Sequence, residues 1–284
     1  MAALNTVVPE TARETFEARG FSVAKGLFSL EETTYLKKYF TDMVERGGDG
    51  WAEGGVHPDH DDPLKRYPRL LQPHRGDNVA KNYMVDDRIR VWLGTILGKE
   101  PLAVQTMVYF KPPGARGQAL HQDNRFLRVD PGTCIAAWMA LDRCDEENGC
   151  LEVVPGSHTM EMICLTPADA SQSFTGEMVQ IPPGMHTENV IMDPGDVIFF
   201  NGSLIHGSPP NLSDRFRAII VGHYIDGGAK EVAEYYFPVY RMDGTTVDDL
   251  EVAESGQACG TYIERDGALE YEVTGMTGRP RAAH

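Results

Sequence analysis

Basic residues are scarce in this chain: 26 lysines and arginines stand against 42 aspartates and glutamates over 284 residues, a formal net charge of −16. Such a surface lacks the cationic footprint on which nucleic-acid affinity is built, and anionic lipid would repel it. DNA, RNA and membrane surfaces are therefore not expected partners. Long apolar runs are also missing. No stretch approaches the roughly 18 residues that a membrane span needs. The opening MAALNTVVPETARETFE has no basic segment followed by an apolar one. Cysteine is sparse as well. The five cysteines (Cys134, Cys144, Cys150, Cys164, Cys259) are odd in number and show no C-x-x-C spacing. They read as reduced, mostly structural thiols of a cytoplasmic protein. On that reading the sequons at Asn201 and Asn211 are chance matches. Internal repeats and low-complexity segments are absent.

What is abundant is glycine and proline, 29 and 18 residues, which points to many turns and hence many short strands. Apolar residues at 42% are sufficient for a core without staples. Residues 9–46 read as helical. A short helix closes at Gly20, and a second opens on a capping box, Ser29 with Glu32. Leu30, Tyr35, Leu36, Tyr39, Phe40 and Met43 form a stripe at helical spacing that reads as core packing. Residues 47–82 are polar and rich in Gly, Pro, His and Asp, a candidate lid. Asp86 to Leu97 predicts a third helix closed by Gly98. From residue 101 short β runs alternate with turns: LAVQTMVYF, CIAAWMAL, GCLEVV, DVIFF, FRAIIVGHYI. Helices over antiparallel strands predict an α+β, mainly β protein with a sandwich or jelly-roll core. The weakly patterned, acidic stretch after about residue 240 predicts extra strands or a loosely docked tail.

Chemistry concentrates in two places. In His121-Gln122-Asp123 the strand period of two aims an imidazole and a carboxylate at a common point. NGSLIHGS supplies His206 after the run DVIFF. Two histidines and one carboxylate can hold one face of an octahedral metal and leave three positions open, as in non-haem Fe(II) oxygenases. An H-x-D triplet alone is weak, because this spacing arises by chance. Arg217 adds to it. A guanidinium buried in the strand FRAIIVGHYI needs an anion. Its planar fork suits a carboxylate, with Ser208 as a further donor. A diacid would chelate the metal at one end and meet Arg217 at the other; a structural salt bridge to one of the many acids is the bland alternative. Arg215, beside Asp214, has that surface character.

The segments HQDNRFLRVDPGTCIAAWMALDRCDEENGCLEVVPGSH and PGDVIFFNGSLIHGSPPNLSDRFRAIIVGHYI closely resemble the phytanoyl-CoA dioxygenase family, Fe(II)- and 2-oxoglutarate-dependent oxygenases on a double-stranded β-helix. The resemblance runs from FEARGFSVAKGLFS to about residue 226 and is most specific between 105 and 223. It implies a single oxygenase domain over 1–284: helical cover and lid to about 100, a β-helix core over about 101–226, and an extension beyond. It implies His121, Asp123 and His206 as iron ligands, and Arg217 with Ser208 as the anchor of the far carboxylate of 2-oxoglutarate. Trp138, Gln105, Met107 and Tyr109 match positions lining the cosubstrate pocket, and the last three share a strand face. The implied reaction consumes O2 and 2-oxoglutarate, releases succinate and CO2, and oxidises an unactivated C–H bond of a small molecule. Halogenating relatives replace the metal carboxylate by a small residue; Asp123 is present, so hydroxylation or a related oxidation is implied.

The family does not choose a substrate. Arg125 shares strand parity with His121 and Asp123, so a regular strand would turn it into the pocket, while a bulge would turn it to solvent. Asn124, Gln122 and, on the lid, Arg69, Gln72, His74 and Asn78 are further candidates. His158 and His223 read as packing residues. No basic cluster for the phosphates of coenzyme A is visible, which favours a small free molecule. The fold also hosts metal-dependent isomerases and non-catalytic binders; Arg217 with Ser208 separates these readings, because only a diacid gives that pair a purpose. Oligomeric state is not readable.

Overall fold

The chain begins with Thr11–Arg19 (α1), Phe21–Ala24 (β1) and Leu30–Glu45 (α2). This is the computed structural model of the protein; it describes residues 6–254 and 256–277. Gly20, at φ 84°, takes the left-handed conformation that turns α1 into β1. The helical reading of 9–46 therefore misses one strand. At α2 the capping box is complete: the Glu32 amide donates to Ser29 Oγ at 3.2 Å, and the Ser29 amide donates to the Glu32 carboxylate at 2.8 Å. Leu36, Phe40 and Met43 are buried, whereas Leu30 and Tyr35 of the same stripe are exposed at 68% and 56%. The stripe is narrower than its sequence pattern because only three or four residues in two turns can face one core.

Residues 47–82 are not a bare loop. They carry the turn Pro63–Arg66 (α3), the short strand Leu70–Leu71 (β2) and Asn78–Met84 (α4). Asp87–Leu97 (α5) follows and stops at Gly98, φ 70°. The β region contains Pro101–Lys111 (β3), Gln118–His121 (β4), the helical turn Asn124–Leu127 (α6), Cys134–Ala140 (β5), Leu151–Val153 (β6), Thr166–Pro167 (β7), Glu177–Met178 (β8), Glu188–Val190 (β9), Val197–Asn201 (β10), His206–Ser208 (β11) and Arg217–Asp226 (β12). Glu231–Val232 (β13), Tyr240–Arg241 (β14), Glu251–Val252 (β15) and the hairpin Ala258–Arg265 (β16) with Ala268–Met276 (β17) complete it.

Two antiparallel sheets form the body of the fold, beside three two-stranded sheets among the described residues. The large one runs β1-β10-β5-β12-β3-β14 with β2 also on β3; the small one runs β4-β11-β6-β9. The large sheet is apolar on both faces. On β12, Ala218 and Ile220 join Phe40, Met43 and Trp92 beneath the helices. Ile219 and Val221 join Leu151, Val153 and Phe200 between the two sheets. Period-two alternation thus feeds two cores from one strand. Trp92 of α5 stacks on Phe199 of β10, centroids 5.2 Å apart and planes 3° apart. The architecture is the mainly β jelly roll with helical cover. Its large sheet reaches outside 101–226 at both ends, through β1, β2 and β14.

The tail is docked. The Cys164 amide donates to the Gly260 carbonyl at 2.8 Å, the Gly260 amide to the Met162 carbonyl at 3.0 Å, and the Tyr271 hydroxyl to the same Met162 carbonyl at 2.7 Å. Cys164 and Cys259 form a disulfide. This corrects the reading of all five cysteines as reduced: partners 95 residues apart in sequence meet only because the hairpin folds back. Cys134, Cys144 and Cys150 are buried free thiols.

Candidate active site

His121 ends β4 and His206 begins β11, and the two face each other directly across the small sheet with ring centroids 4.2 Å apart. Asp123 arrives differently from the expectation. The strand stops at His121, and Asp123 sits in helical conformation (φ −62°, ψ −35°) at the start of α6. A chain turn, not strand parity, brings its carboxylate in. Oδ1 lies 3.4 Å from His121 Nε2 and Oδ2 lies 3.6 Å from His206 Nε2. The three donor groups all lie within 4.8 Å of one another, the spacing of a metal ligand set.

Protonation suits a cation. His121 Nδ1 lies 2.9 Å from the Ala119 carbonyl, and His206 Nδ1 lies 2.9 Å from the Leu204 carbonyl. A carbonyl only accepts, so each Nδ1 carries the hydrogen and each Nε2 presents a lone pair. Burial, followed by the neighbouring His121, pushes His206 down to about 4, which keeps it neutral near pH 7. Burial alone would raise the Asp123 carboxyl; the surrounding imidazoles of His206, His223 and His121 outweigh it and hold the group well below the usual range. Two imidazoles and one carboxylate fit a divalent metal of the iron type.

His223 is the residue that sequence reasoning undervalued. Its Nε2 is 3.0 Å from Asp123 Oδ2, so it is a brace for the carboxylate and not a core histidine. The signal was present, since 217, 219, 221 and 223 alternate onto one face of β12.

A cavity of about 250 Å³ opens over this cluster. Its inner end holds Arg217, Lys111, Ser208 and Trp138; Met107, Tyr109, Gln118 and His223 line it beside the triad. Arg217 is 4% exposed, and its Nε and Nη1 have no hydrogen-bond partner among the described residues. The guanidinium lies 5.4 Å from the Trp138 ring and beside the Cys144 and Cys150 thiols; Asp142 acts on it only from beyond ion-pair distance. The bland alternative of a structural salt bridge therefore does not hold here. Gln118 was missed. It lies three residues before His121, against the strand period, but a register shift between β4 and β11 sets it opposite Ser208. Its amide nitrogen is 3.1 Å from His121 Nε2.

Other candidates fall outside the lining. Gln105 shares the face of Met107 and Tyr109 and pairs with His223, but lies beyond the cavity wall. Gln122 is structural: its amide donates to the Ser203 carbonyl at 2.9 Å, and its Oε1 accepts from the Ile163 amide at 3.0 Å. Asn124 Oδ1 accepts from the Val129 amide at 3.2 Å. Arg125 does not line the cavity, because α6 ends the strand on which its parity argument rested. His74 is buried on the opposite face of β3, 2.8 Å from Thr106 Oγ1. Of the lid residues named from sequence, Arg69 lines the cavity. It grips Glu53 at 2.6 and 2.8 Å and reaches the Tyr109 hydroxyl at 3.3 Å. Glu53, Asp62, Lys65 and Phe174 join it at the mouth.

Comparison with known proteins places the chain by sequence and by fold. The family model described as phytanoyl-CoA dioxygenase (PhyH) matches residues 16–219. Phytanoyl-CoA dioxygenase 1 of Oryza sativa subsp. japonica is 31% identical, over 74% of this chain and 86% of its own. The peroxisomal phytanoyl-CoA dioxygenase of Rattus norvegicus is 26% identical, over 95% of this chain and 81% of its own. Among solved structures, the non-heme alpha ketoglutarate dependent carbocyclase SnoK aligns with TM-score 0.63 at 20% identity, covering 87% of this chain and 94% of its own. The epimerase SnoN, solved with Fe3+, alpha ketoglutarate and nogalamycin RO, aligns with TM-score 0.62 at 19% identity, covering 92% and 97%. At that identity the two structures speak for the fold.

Proposed function

Because the chain belongs to the phytanoyl-CoA dioxygenase family and is an Fe(II)- and 2-oxoglutarate-dependent dioxygenase, we propose that His121, Asp123 and His206 hold the iron and that Arg217 with Ser208 receives the far carboxylate of 2-oxoglutarate. The observation that carries the second assignment is the buried Arg217, with Nε and Nη1 lacking hydrogen-bond partners among the described residues, in the same cavity as the triad. A buried guanidinium without an anion is costly, and a dicarboxylate removes that cost. When bound, the metal supplies the position at which O2 oxidises 2-oxoglutarate to succinate and CO2. The protein's part is geometric and electrostatic. The Ala119 and Leu204 carbonyls fix the imidazole orientations, His223 fixes the carboxylate, and the apolar walls of Trp138, Phe200, Ile219 and Val221 exclude water.

The substrate enters past the lid, between Arg69, Phe174 and Lys65. Arg69 is taken by Glu53 and Arg116 by Asp62, leaving Lys65 without an ion-pair partner among the described residues. One exposed lysine is a poor seat for the several phosphates of a coenzyme A thioester, so the reading is a small free metabolite or natural product oxidised at an unactivated C–H bond. The presence of Asp123 favours hydroxylation or a related oxidation over halogenation. We read 1–284 as one oxygenase unit. No helix among the described residues is long and apolar enough to cross a membrane. A ferrous centre and three buried free thiols favour a reducing, cytoplasmic setting, against which the single disulfide Cys164–Cys259 stands.

The test is spectroscopic. Anaerobic addition of Fe(II) and 2-oxoglutarate should produce a visible charge-transfer band, and air should then release succinate. Absence of both from folded protein would overturn the ligand assignment. Candidate small molecules are then ranked by how strongly each stimulates succinate release.

A further inference from the structure

Arg217 is not the only cation at the inner end of the cavity. Lys111, the last residue of β3, is its direct cross-strand partner on β12 and is 4% exposed. No carboxylate among the described residues forms an ion pair with either side chain. Lys111 Nζ is instead surrounded by three oxygens: Ser208 Oγ at 2.7 Å, the Pro209 carbonyl at 2.6 Å and the Gly149 carbonyl at 3.2 Å. An ammonium has three hydrogens to donate and no lone pair, so these oxygens satisfy it completely. Two consequences follow. The Ser208 oxygen is occupied as an acceptor, which leaves its hydrogen to be donated elsewhere, and Ser208 lines the cavity. Burial, followed by the neighbouring Arg217, pushes Lys111 well below its ordinary value, whereas three oxygen acceptors around Nζ suit the ammonium; the empty site therefore holds both charges only at a cost that an anion would remove.

We propose that Lys111 is a positioning residue for the far carboxylate of 2-oxoglutarate: it holds the Ser208 hydroxyl as a donor toward that carboxylate and adds a second buried positive charge beside Arg217. This rests on the reading that Arg217 and Ser208 form the cosubstrate anchor. Lys111 itself does not touch the cosubstrate. All its hydrogens are already placed, so it acts through Ser208 and through its field. The alternative is a structural staple tying β3 to the turns at Gly149 and Pro209, and the test must tell the two apart.

The test compares two ligands on the Fe(II)-loaded protein without O2. One is 2-oxoglutarate; the other is 2-oxopentanoate, which has the same five-carbon chain and 2-oxo acid end but no far carboxylate. Dissociation constants are measured by calorimetry and by the visible band. Lys111→Met should weaken 2-oxoglutarate about tenfold or more, the scale of a lost hydrogen bond to a charged group. It should leave 2-oxopentanoate within about twofold, because that ligand never meets the dicationic seat. In a Ser208→Ala background the effect of Lys111→Met should shrink. If Lys111→Met does not fold, Lys111→Gln, which keeps an N–H donor and gives up the charge, should show the same selective loss. Equal weakening of both ligands, or none of either, would overturn the proposal and leave Lys111 a staple. Arg217→Met separates the underlying reading: if it keeps the preference for 2-oxoglutarate, the anchor assignment itself fails, whatever Lys111 does.

Discussion

Asp123 meets three imidazoles at once, those of His121, His206 and His223. Two of them are assigned here as its fellow ligands and the third as a brace, and these roles predict different losses. Asp123→Ala should abolish Fe(II)-dependent succinate formation, and folded variant protein retaining normal turnover would sink the ligand assignment. His223→Leu keeps every ligand but frees Oδ2 from its donor. Its metal affinity should fall by about 10–100-fold, the usual effect of losing such a support, as read by competition with a chelator. Arg125 teaches the limit of parity arguments. Its face is set by where β4 stops, and one helical turn at 124–127 removes it from the cavity.

Among the elements, the helical cover is tied to the sheet by a few heavy contacts. Trp92 and Phe199 lie flat against each other between α5 and β10. Trp92→Ala should cost about 3–5 kcal/mol in urea unfolding with little change in the denaturant slope. A charged link joins α2 to α5. Arg88 binds Glu32 at 2.8 Å and Asp86 at 2.9 Å, and stacks 3.8 Å from the Phe28 ring centroid. Its hydrogen bond draws the Glu32 carboxyl down to about 2, against opposition from partial burial. A carboxylate more acidic folded than unfolded contributes in full above about pH 5 and loses its contribution as pH falls toward 2. Because Glu32 is 41% exposed, that contribution is at most about 1 kcal/mol. The difference in melting temperature between wild type and Glu32→Gln should be constant from pH 7 to 5 and shrink steadily below. A difference that grows in acid would contradict the pairing.

On the scale of the whole molecule, the charge of −16 does not describe the centre, where Arg217, Lys111 and the proposed iron make a positive interior inside an acidic shell. The hairpin β16–β17 lies outside both the large and the small sheet and is held by Cys164–Cys259 and a few hydrogen bonds to residues 161–164. Few buried contacts mean a low opening free energy for that part. Reduction, or Cys259→Ser, should therefore speed protease cleavage within residues 254–276 while residues 11–241 stay resistant. Simultaneous loss of the core fragment would show that the hairpin supports the whole fold.

What the sequence determined by itself is local. Ser29 and Glu32 start α2, Gly20 and Gly98 end helices, and alternation along 217–223 sets two faces, because capping, left-handed turns and side-chain parity depend on residues within a turn of one another. The roles proposed for His121, Asp123, His206 and Arg217 come from their residue types together with the family resemblance of the segments that carry them. The tertiary structure decided the rest. It decided that Asp123 arrives through a helical turn, that a register shift brings Gln118 onto the face of His121, that Lys111 stands beside Arg217 106 residues away, and that Cys164 finds Cys259. Each of these depends on strand register or on chain returning from far away, and the free energy that selects a register is spread over whole packed sheets, where no short window of sequence records it.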